Sequence, residues 1–425
     1  MFIVCWARLR PWTARLLACL FAFLTSGITG AADPLSLEEA LAIAGRSSQQ
    51  LAAQRSSVSA AEQASVPARE LPDPKLFFGV DNLPVTGPDS FSLTRDFMTM
   101  RKIGLMQDFP RAQKRELKGH LAEQMAAREA AMLVDSQAAL RREVALAWMQ
   151  RYFAERMSSL VTEQIAETEL QREALRAGVK SSRTQPADLL SVEVGLQSLL
   201  DRRAQYDKEA ARAKASLSRW LADAAERPLA ELALPASAAE AGELSSHIEL
   251  HPHVQSLQRE IDIAQTQAQL AQAATKPDWS LELAYAQRGP TFSNMVSVQV
   301  SIDLPIFQSR RKQPDIAARL IQVEQARSLK EEALRQHVAE AQAVQAERQA
   351  AHARAERFDQ TLLPLARERV KTALAAYRGG RGDLASVLDA RRVELDLRLQ
   401  RQQLAAEEGL AYAQLLYFVH RENAQ

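Results

Sequence analysis

The chain has 425 residues, enough for two or three ordinary domains, but only 6% of them are aromatic whereas 25% are charged. This composition, with 15 glycines in all, favours extended helical packing over compact mixed cores. The 53 basic side chains are balanced by 52 acidic ones, and no basic stripe with interleaved aromatic residues occurs, which argues against a nucleic-acid-binding protein.

The first 32 residues are predicted to be a signal peptide. An apolar run at residues 16–25 ends in small residues before Ala32 and is preceded by three arginines, Arg8, Arg10 and Arg15. Both cysteines, Cys5 and Cys19, lie in this segment, so we expect the mature chain to hold neither disulfides nor cysteine metal sites. Too few apolar residues precede Cys19 for a lipoprotein signal, which argues against lipidation.

The rest of the chain is predicted to contain long helices and four short strands. In the first half these are a helix at 36–66, strands at 75–81 and 99–109, a very long helix at 112–177 and a helix at 186–221. In the second half they are a helix at 247–275, strands at 279–287 and 294–304, a very long helix at 315–377 and a helix at 383–420. Each long helix spans roughly 95 to 100 Å, and its apolar positions follow the seam of a coiled coil.

The strands have one apolar and one polar face. In the fourth strand the apolar positions are Val296, Val298, Val300, Ile302 and Leu304. A length of about 7 to 11 residues suits strands that cross a bilayer at a tilt. Four strands cannot close a barrel, and open edges in hydrocarbon leave costly unmet hydrogen bonds. We therefore expect each chain to supply part of a shared barrel, with three copies giving twelve strands.

The two halves are predicted to be repeats. Asp108-Phe109-Pro110 closes one strand and Asp303-Leu304-Pro305 closes another 195 residues later. Asp188-Leu189 follows the first of these motifs by 80 residues, and Asp383-Leu384 follows the second by the same distance. The repeats are placed at 33–221 and 247–425, with an equatorial linker at 222–246. Two stacked short helices are expected to cover each long one.

Several motifs carry a resemblance to a known family. They are the Pro-Asp-Pro before the first strand, the Asp-Phe-Pro and Asp-Leu-Pro strand exits, Ser216 to Leu221, Gly379 to Asp383, and Val387-Leu388-Asp389-Ala390. Over residues 35–419 the chain resembles the TolC family of outer-membrane efflux channels. The segment 81–108 is more similar to the heavy-metal cation branch of the Czc and Cus type.

This resemblance implies a mainly α-helical homotrimer whose pooled strands form a twelve-stranded transmembrane barrel, continued by a coiled-coil periplasmic tunnel. It also implies docking onto a periplasmic adaptor (membrane fusion protein) and an inner-membrane pump of the resistance-nodulation-division class, contact with outer-membrane lipid, and heavy-metal cations as cargo. Organic drugs or secreted proteins are the alternative cargo. An adaptor or coiled-coil scaffold is the alternative of another class. No catalytic motif is present, so neither enzyme activity nor a cofactor is expected.

The family places its functional residues at the closed tip of the tunnel. For the constriction the resemblance indicates Asp389, with Ser386 at the partner acidic position and Arg381 as a cation that could lock helices by ion pairing. For the turns that contact the adaptor it indicates Gly178, Asp188, Gly379, Gly380, Gly382 and Asp383. The competing interpretation is that Asp188 and Asp383 merely cap helix N-termini.

Two further groups could be taken for metal ligands. His251-Pro252-His253 places two imidazoles close together, but proline at a helix start with flanking histidines favours capping. Met98, Met100 and Met106 lie in or beside the second strand, and thioethers suit Cu(I) or Ag(I). Packing is the favoured role of these methionines. No metal site is therefore predicted.

Overall fold

The computed structural model describes residues 33–181, 185–232 and 247–418. The predicted signal peptide, with both cysteines, and residues 233–246 of the predicted linker lie outside these ranges. The helices are α1 (Leu37–Ser47), α2 (Gln49–Ser65), α3 (Ala112–Lys180), α4 (Pro186–Leu221), α5 (Pro252–Ala273), α6 (Gln308–Arg357), α7 (Leu363–Arg378) and α8 (Leu384–Phe418). The strands are β1 (Lys75–Asp81), β2 (Met100–Phe109), β3 (Trp279–Gln287) and β4 (Met295–Ile302).

The four strands form one antiparallel sheet in the order β1-β2-β3-β4. The predicted number of strands is confirmed, and β1 and β3 have the predicted bounds. Two rungs of apolar side chains cross the whole sheet on one face: Phe78, Ile103, Tyr285 and Val296, then Leu76, Leu105, Leu283 and Val298. All eight of these side chains are exposed, from 45% for Tyr285 to 74% for Phe78, so this face has no covering layer within the described chain.

The opposite face of the sheet is polar and close-packed at its centre. Ion pairs join Lys102 to Asp81 at 2.7 Å and Lys75 to Asp108 at 2.9 Å. Between them the ring of Phe77 lies over Gly104, where an added Cβ would come within 2.4 Å of the Phe77 Cζ atom. A side chain at position 104 would therefore displace the ring.

The sheet is fixed to the long helix at the seam between β2 and β3. Phe109 and Trp279 lie opposite each other in the register and stack with ring centroids 4.3 Å apart. Just below, Asp278 accepts the backbone N–H of Arg111 at 3.0 Å and pairs with Lys114 at 2.8 Å. These contacts set the direction in which α3 leaves the sheet.

The main hydrophobic core lies midway along α3. Trp148 is 1% exposed, stacks on Tyr152, and donates its indole N–H to the carbonyl of Leu35 at 3.3 Å. The short helices pack around this point, and Gly409 of α8 approaches Phe153 so closely that an added Cβ would lie 2.7 Å from its ring. Within the described residues, no helix combines the length and apolarity that a membrane crossing requires.

Several predicted helices differ from the observed ones, and the one expected at 247–275 is observed as the shorter α5, which begins at Pro252. The helix expected at 36–66 is divided, because the Ser48 hydroxyl accepts the backbone N–H of Leu51 and starts a new helix there. The second long helix begins at Gln308, before the predicted residue 315, and carries a π-helical turn at Phe358–Leu362. Pro364 follows this turn and lacks an N–H for the regular ladder, which accounts for the local widening.

Candidate functional site

The predicted site lies at two helical turns far from the sheet. α3 ends at Lys180 and α4 begins at Pro186, with residues 182–184 of the first predicted turn outside the described ranges, and residues 379–383 join α7 to α8. Glu167, near the end of α3, forms an ion pair with Arg391, near the start of α8. The end of α3 and the turn between α7 and α8 therefore lie at the same end of the helical body, roughly 100 Å from the sheet by the length of α3.

The turn between α7 and α8 is built by its glycines. Gly380 has a left-handed φ of 68°, its N–H donates to the carbonyl of Tyr377 at 3.0 Å, and the N–H of Arg381 donates to Ala376 at 2.9 Å. These two bonds form a Schellman motif, which satisfies the last carbonyls of a helix and favours glycine at the left-handed position. Gly382 packs against Ala376, where an added Cβ would lie 3.1 Å from the alanine methyl.

Asp383 caps the N-terminus of α8. Its Oδ1 accepts the backbone N–H of Ser386 at 2.9 Å and also the hydroxyl of Ser386. These hydrogen bonds hold the pKa of the Asp383 carboxyl below its ordinary value. Asp383 therefore caps α8, and Ser386 takes part in the same cap.

Asp389 is paired across the hairpin. Its Oδ2 lies 2.6 Å from Nη2 of Arg369 on α7, and its Oδ1 lies 3.5 Å from Nη2 of Arg392. The cation expected beside it, Arg381, is exposed and takes part in no ion pair within the described chain. Arg369 takes that role because α7 and α8 are antiparallel and place residues 20 apart face to face.

The end of α3 differs from the prediction, because the helix is longer than predicted. Gly178, predicted in a turn, lies in the last turn of α3, which continues to Lys180. Asp188 lies in the first turn of α4, three residues after the N-cap residue Gln185, and does not cap the helix itself. A carboxylate at this position still favours the helix N-terminus electrostatically.

Glu394 is a site residue that the sequence analysis did not single out. It is 8% exposed, lies 2.6 Å from Nη2 of Arg398 on its own helix, and is 3.9 Å from Nε of Arg367 on α7. The spacing of four residues to Arg398 was visible in the sequence, but the pairing with Arg367 depends on how the hairpin folds. Asp389 and Glu394 thus form a row of carboxylates on α8, and their ion pairs with Arg369 and Arg367 join α8 to α7.

The histidines around Pro252 behave as a cap joined to a third histidine. Nδ1 of His251 accepts the N–H of His253 at 3.2 Å, and its Nε2 lies 2.9 Å from the carbonyl oxygen of Tyr417. Burial lowers the pKa of His251 to about 4. Nδ1 of His253 lies 2.9 Å from Nε2 of His337 on α6, and this contact between residues 84 apart could not be predicted from the sequence pattern.

Comparison with solved structures shows which fold this arrangement is. The chain aligns with CusC, a transmembrane channel, at a TM-score of 0.75 and 16% identity over 90% of this chain and 91% of that chain. The chain has the fold of the TolC-family outer-membrane channels. Two other structures with this TolC-type fold are a membrane protein from Pseudomonas aeruginosa and the open state of the Neisseria gonorrhoeae MtrE outer membrane channel.

The first of these has a TM-score of 0.78 at 16% identity over 90% of this chain and 89% of the other. The second has a TM-score of 0.71 at 17% identity over 90% of this chain and 88% of the other. CusC and MtrE are channel proteins, not enzymes. No protein-family model matches the chain, and no curated protein sequence matches it either.

Proposed function

We propose that this chain is the outer-membrane channel of a tripartite efflux system, a passive duct through which cargo leaves the cell. The observation that carries the proposal is the sheet: a continuous apolar face lies exposed, and both outer strands have free edges. In water such a surface is an aggregation hazard, whereas in a lipid bilayer it is the required outer surface of a spanning sheet. The long helices then provide a periplasmic extension.

The channel requires three copies. Four strands enclose no lumen, and each unmet backbone hydrogen bond in hydrocarbon costs several kcal/mol. Three chains supply twelve strands, which is wide enough to leave a water-filled interior. The two repeats, 33–221 and 247–425, each contribute one β-hairpin and one helical hairpin to this ring.

The helical tips are the proposed contact with the rest of the export system. The turn at 379–383 lies at the end opposite the sheet, beside the end of α3, and exposes Arg381, Gly382 and Asp383. A periplasmic adaptor and a pump of the resistance-nodulation-division class would engage this end. The pump supplies the energy, because the duct itself has no part that consumes any.

The proposed cargo is heavy-metal cations, supported by the sequence resemblance of residues 81–108 and by the acidic side chain of Asp389 at the tip. One observation favours organic compounds instead. Asp389 is paired with Arg369 and Arg392, so this side chain does not present a free carboxylate to a cation. A strain lacking the gene, tested against panels of metal salts and of drugs, distinguishes the two by which panel becomes more toxic.

The channel proposal is tested by fractionation. We expect the protein to stay in the membrane fraction until detergent is added, to run as a trimer in native mass spectrometry, and to conduct ions in a planar bilayer. A monomer that remains in plain buffer after washing of the membranes would contradict the proposal and support a scaffold protein.

A further inference from the structure

The free edges of the sheet can be assigned a partner and a register from the internal repeat. The two hairpins correspond residue by residue. Pro72-Asp73 recurs as Pro277-Asp278 at an offset of 205, so β1 corresponds to β3, and the strand exit at Asp108 recurs at Asp303 at an offset of 195, so β2 corresponds to β4.

The observed pairing supports this correspondence. Lys75 of β1 lies opposite Met106 of β2. Shifting these two positions by 205 and 195 gives Ser280 and Ser301, which lie opposite each other in β3 and β4. The two hairpins therefore have the same register, although their sequences differ.

The same shift can be applied to the seam between the hairpins. Within the chain, β2 pairs with β3 so that Leu105 lies opposite Leu283 and Gly104 lies opposite Ala284. In a ring of identical chains, the equivalent seam joins β4 of one copy to β1 of the next. We propose that this seam has the transferred register, with Val300 opposite the partner's Phe78 and Gln299 opposite the partner's Gly79. This inference rests on the proposed ring of three copies.

The transferred register matches the faces of the two edges. Val298, Val300 and Ile302 fall opposite the partner's Val80, the partner's Phe78 and the partner's Leu76. All six positions belong to the exposed apolar face. A slip of one residue would put the apolar side of β4 next to the polar side of β1, which a bilayer would penalise. A slip of two residues keeps apolar side chains next to apolar side chains, so it is the alternative register that has to be distinguished.

Charge distinguishes the proposed register from that alternative. In the transferred register Asp303 lies opposite the partner's Lys75. Asp303 is exposed and has no ion pair within the described residues, whereas Lys75 is 64% exposed and pairs with Asp108 on its other side. Lys75 would then bridge two carboxylates across the seam. Opposite charges directly across a sheet stabilise the pairing.

The seam also joins unlike edges, which decides how copies assemble. β4 of one chain meets β1 of the next, so the contact is head-to-tail and closes into a ring only if the rotation between copies permits it. A two-fold dimer formed from β4 to β4 would bury both β4 edges and leave both β1 edges open. The partner for these edges is therefore a second copy of this chain in ring order.

The test uses cysteine cross-linking in trimers held in a bilayer, because the described residues contain no cysteine. In a background with Cys5 and Cys19 replaced by serine, Gln299→Cys is combined in turn with Phe77→Cys, Gly79→Cys and Asp81→Cys. Directly opposed positions allow a disulfide, whereas positions displaced by two residues lie about 7 to 8 Å apart and do not. We expect the pair with position 79 to form covalent dimers and trimers roughly tenfold faster than the other two pairs.

Two controls make each outcome decisive. The pair Ser280→Cys and Ser301→Cys lies opposite within one chain, so it should oxidise without forming oligomers. Native mass spectrometry of the reduced variants shows whether trimers are present. In one contrary outcome, trimers form while the pair with position 77 or 81 cross-links fastest; in another, trimers form while none of the three pairs cross-links. Either result would show that the register is wrong and would leave the channel proposal standing. Absence of trimers in the parent protein overturns both.

A charge reversal gives an independent readout. Asp303→Lys places two cations against each other at the seam, and the trimer should dissociate at a lower temperature than the parent on a semi-native gel. Asp315→Lys is the matched control, because Asp315 lies twelve residues further on in α6 and pairs only with Arg319 of its own helix at 3.9 Å. Equal dissociation temperatures for the two variants would contradict the Asp303 contact.

Discussion

Arg369 and Asp389 face each other across the hairpin of α7 and α8, with Nη2 of the arginine 2.6 Å from Oδ2 of the aspartate. Both side chains are about half exposed, so the pair contributes little to stability, on the order of 0.5 kcal/mol. Its main effect is on local charge, because it removes a carboxylate from the field at the helical tip.

Asp389→Asn should make the conductance less cation-selective. The substitution leaves the guanidinium groups of Arg369 and Arg392 without their shared carboxylate, so the tip becomes more positive. Reversal potentials measured in a salt gradient across a planar bilayer should shift towards the anion value, and block by divalent cations should weaken. Asp359→Asn is the control, since it breaks the pair with Arg401 in the same hairpin but further from the turn. An unchanged reversal potential would remove Asp389 from the constriction.

Gly380→Ala should destabilise the turn between α7 and α8 by about 1 kcal/mol, because an L-residue with a side chain is strained at the left-handed φ of 68°. Gly195→Ala should have the opposite effect of similar size, since Gly195 lies inside α4 with nothing within 4 Å of an added Cβ. Thermal unfolding followed by circular dichroism in detergent measures both. Equal shifts in the same direction would contradict the conformational argument.

Gly104→Ala should weaken the sheet by about 1 to 3 kcal/mol. The new methyl would lie 2.4 Å from the Phe77 ring and 2.8 Å from the carbonyl oxygen of Leu283, and the second of these is backbone that cannot move aside. Gly45→Ala, in α1, meets nothing within 4 Å and lies away from the strand edges, so it is the control. The dissociation temperature of the oligomer should fall for position 104 only, and a fall for both would indicate a general effect of alanine.

Acid should destabilise the junction of α5, α6 and α8. Burial lowers the pKa of His251 to about 4 and lowers the pKa of His337 below its ordinary value. As the pH falls below about 6.5, these imidazoles are therefore protonated more readily in the unfolded chain than in the folded chain. The contribution of His251 to the free energy of unfolding is therefore fully present above about pH 6.5. It falls by about 1.4 kcal/mol per pH unit as the pH drops towards 4. The other charged groups at this junction are Asp135, Arg142 and Glu340.

His251→Asn should remove that share of the acid sensitivity, because asparagine keeps an N-cap acceptor but does not titrate. The measurement is the unfolding temperature between pH 7.5 and 5. His352→Gln is the control, as His352 is exposed and pairs with Glu408 of α8 at 3.1 Å. If the slope with pH is the same for both variants, the buried histidine is not its source.

The sheet could be predicted from the sequence because its signal is local. Val296 to Ile302 alternate in a period of two residues, and an exposed apolar face needs no knowledge of any other element. The break at Ser48 could not be predicted this way, since Ala-rich sequence on both sides favours one continuous helix and only the hydroxyl cap decides otherwise.

Only part of the candidate site could be predicted, because only part of it depends on residues that are close in sequence. The glycine turn at 379–382 and the cap at Asp383 depend on neighbours in sequence. The partners of Asp389, Glu394 and His253 come from other helices, 20 to 84 residues away, and their identity depends on the rotation of each helix about its axis. Periodicity defines which face of a helix is buried but not which polar residue it meets.

The shared register of the two β-hairpins is what the duplication of one hairpin would produce. A shorter ancestral chain with one β-hairpin and one helical hairpin would have needed six copies to make the same ring, with every seam alike. In the proposed ring, fusion would make half of these seams internal to a chain, and each internal seam would have the stacked rings of Phe109 and Trp279. The transferred register puts Leu304 opposite the partner's Pro74 at that level of the seams between chains, where no rings can stack, so these seams would be the weaker joints of the ring.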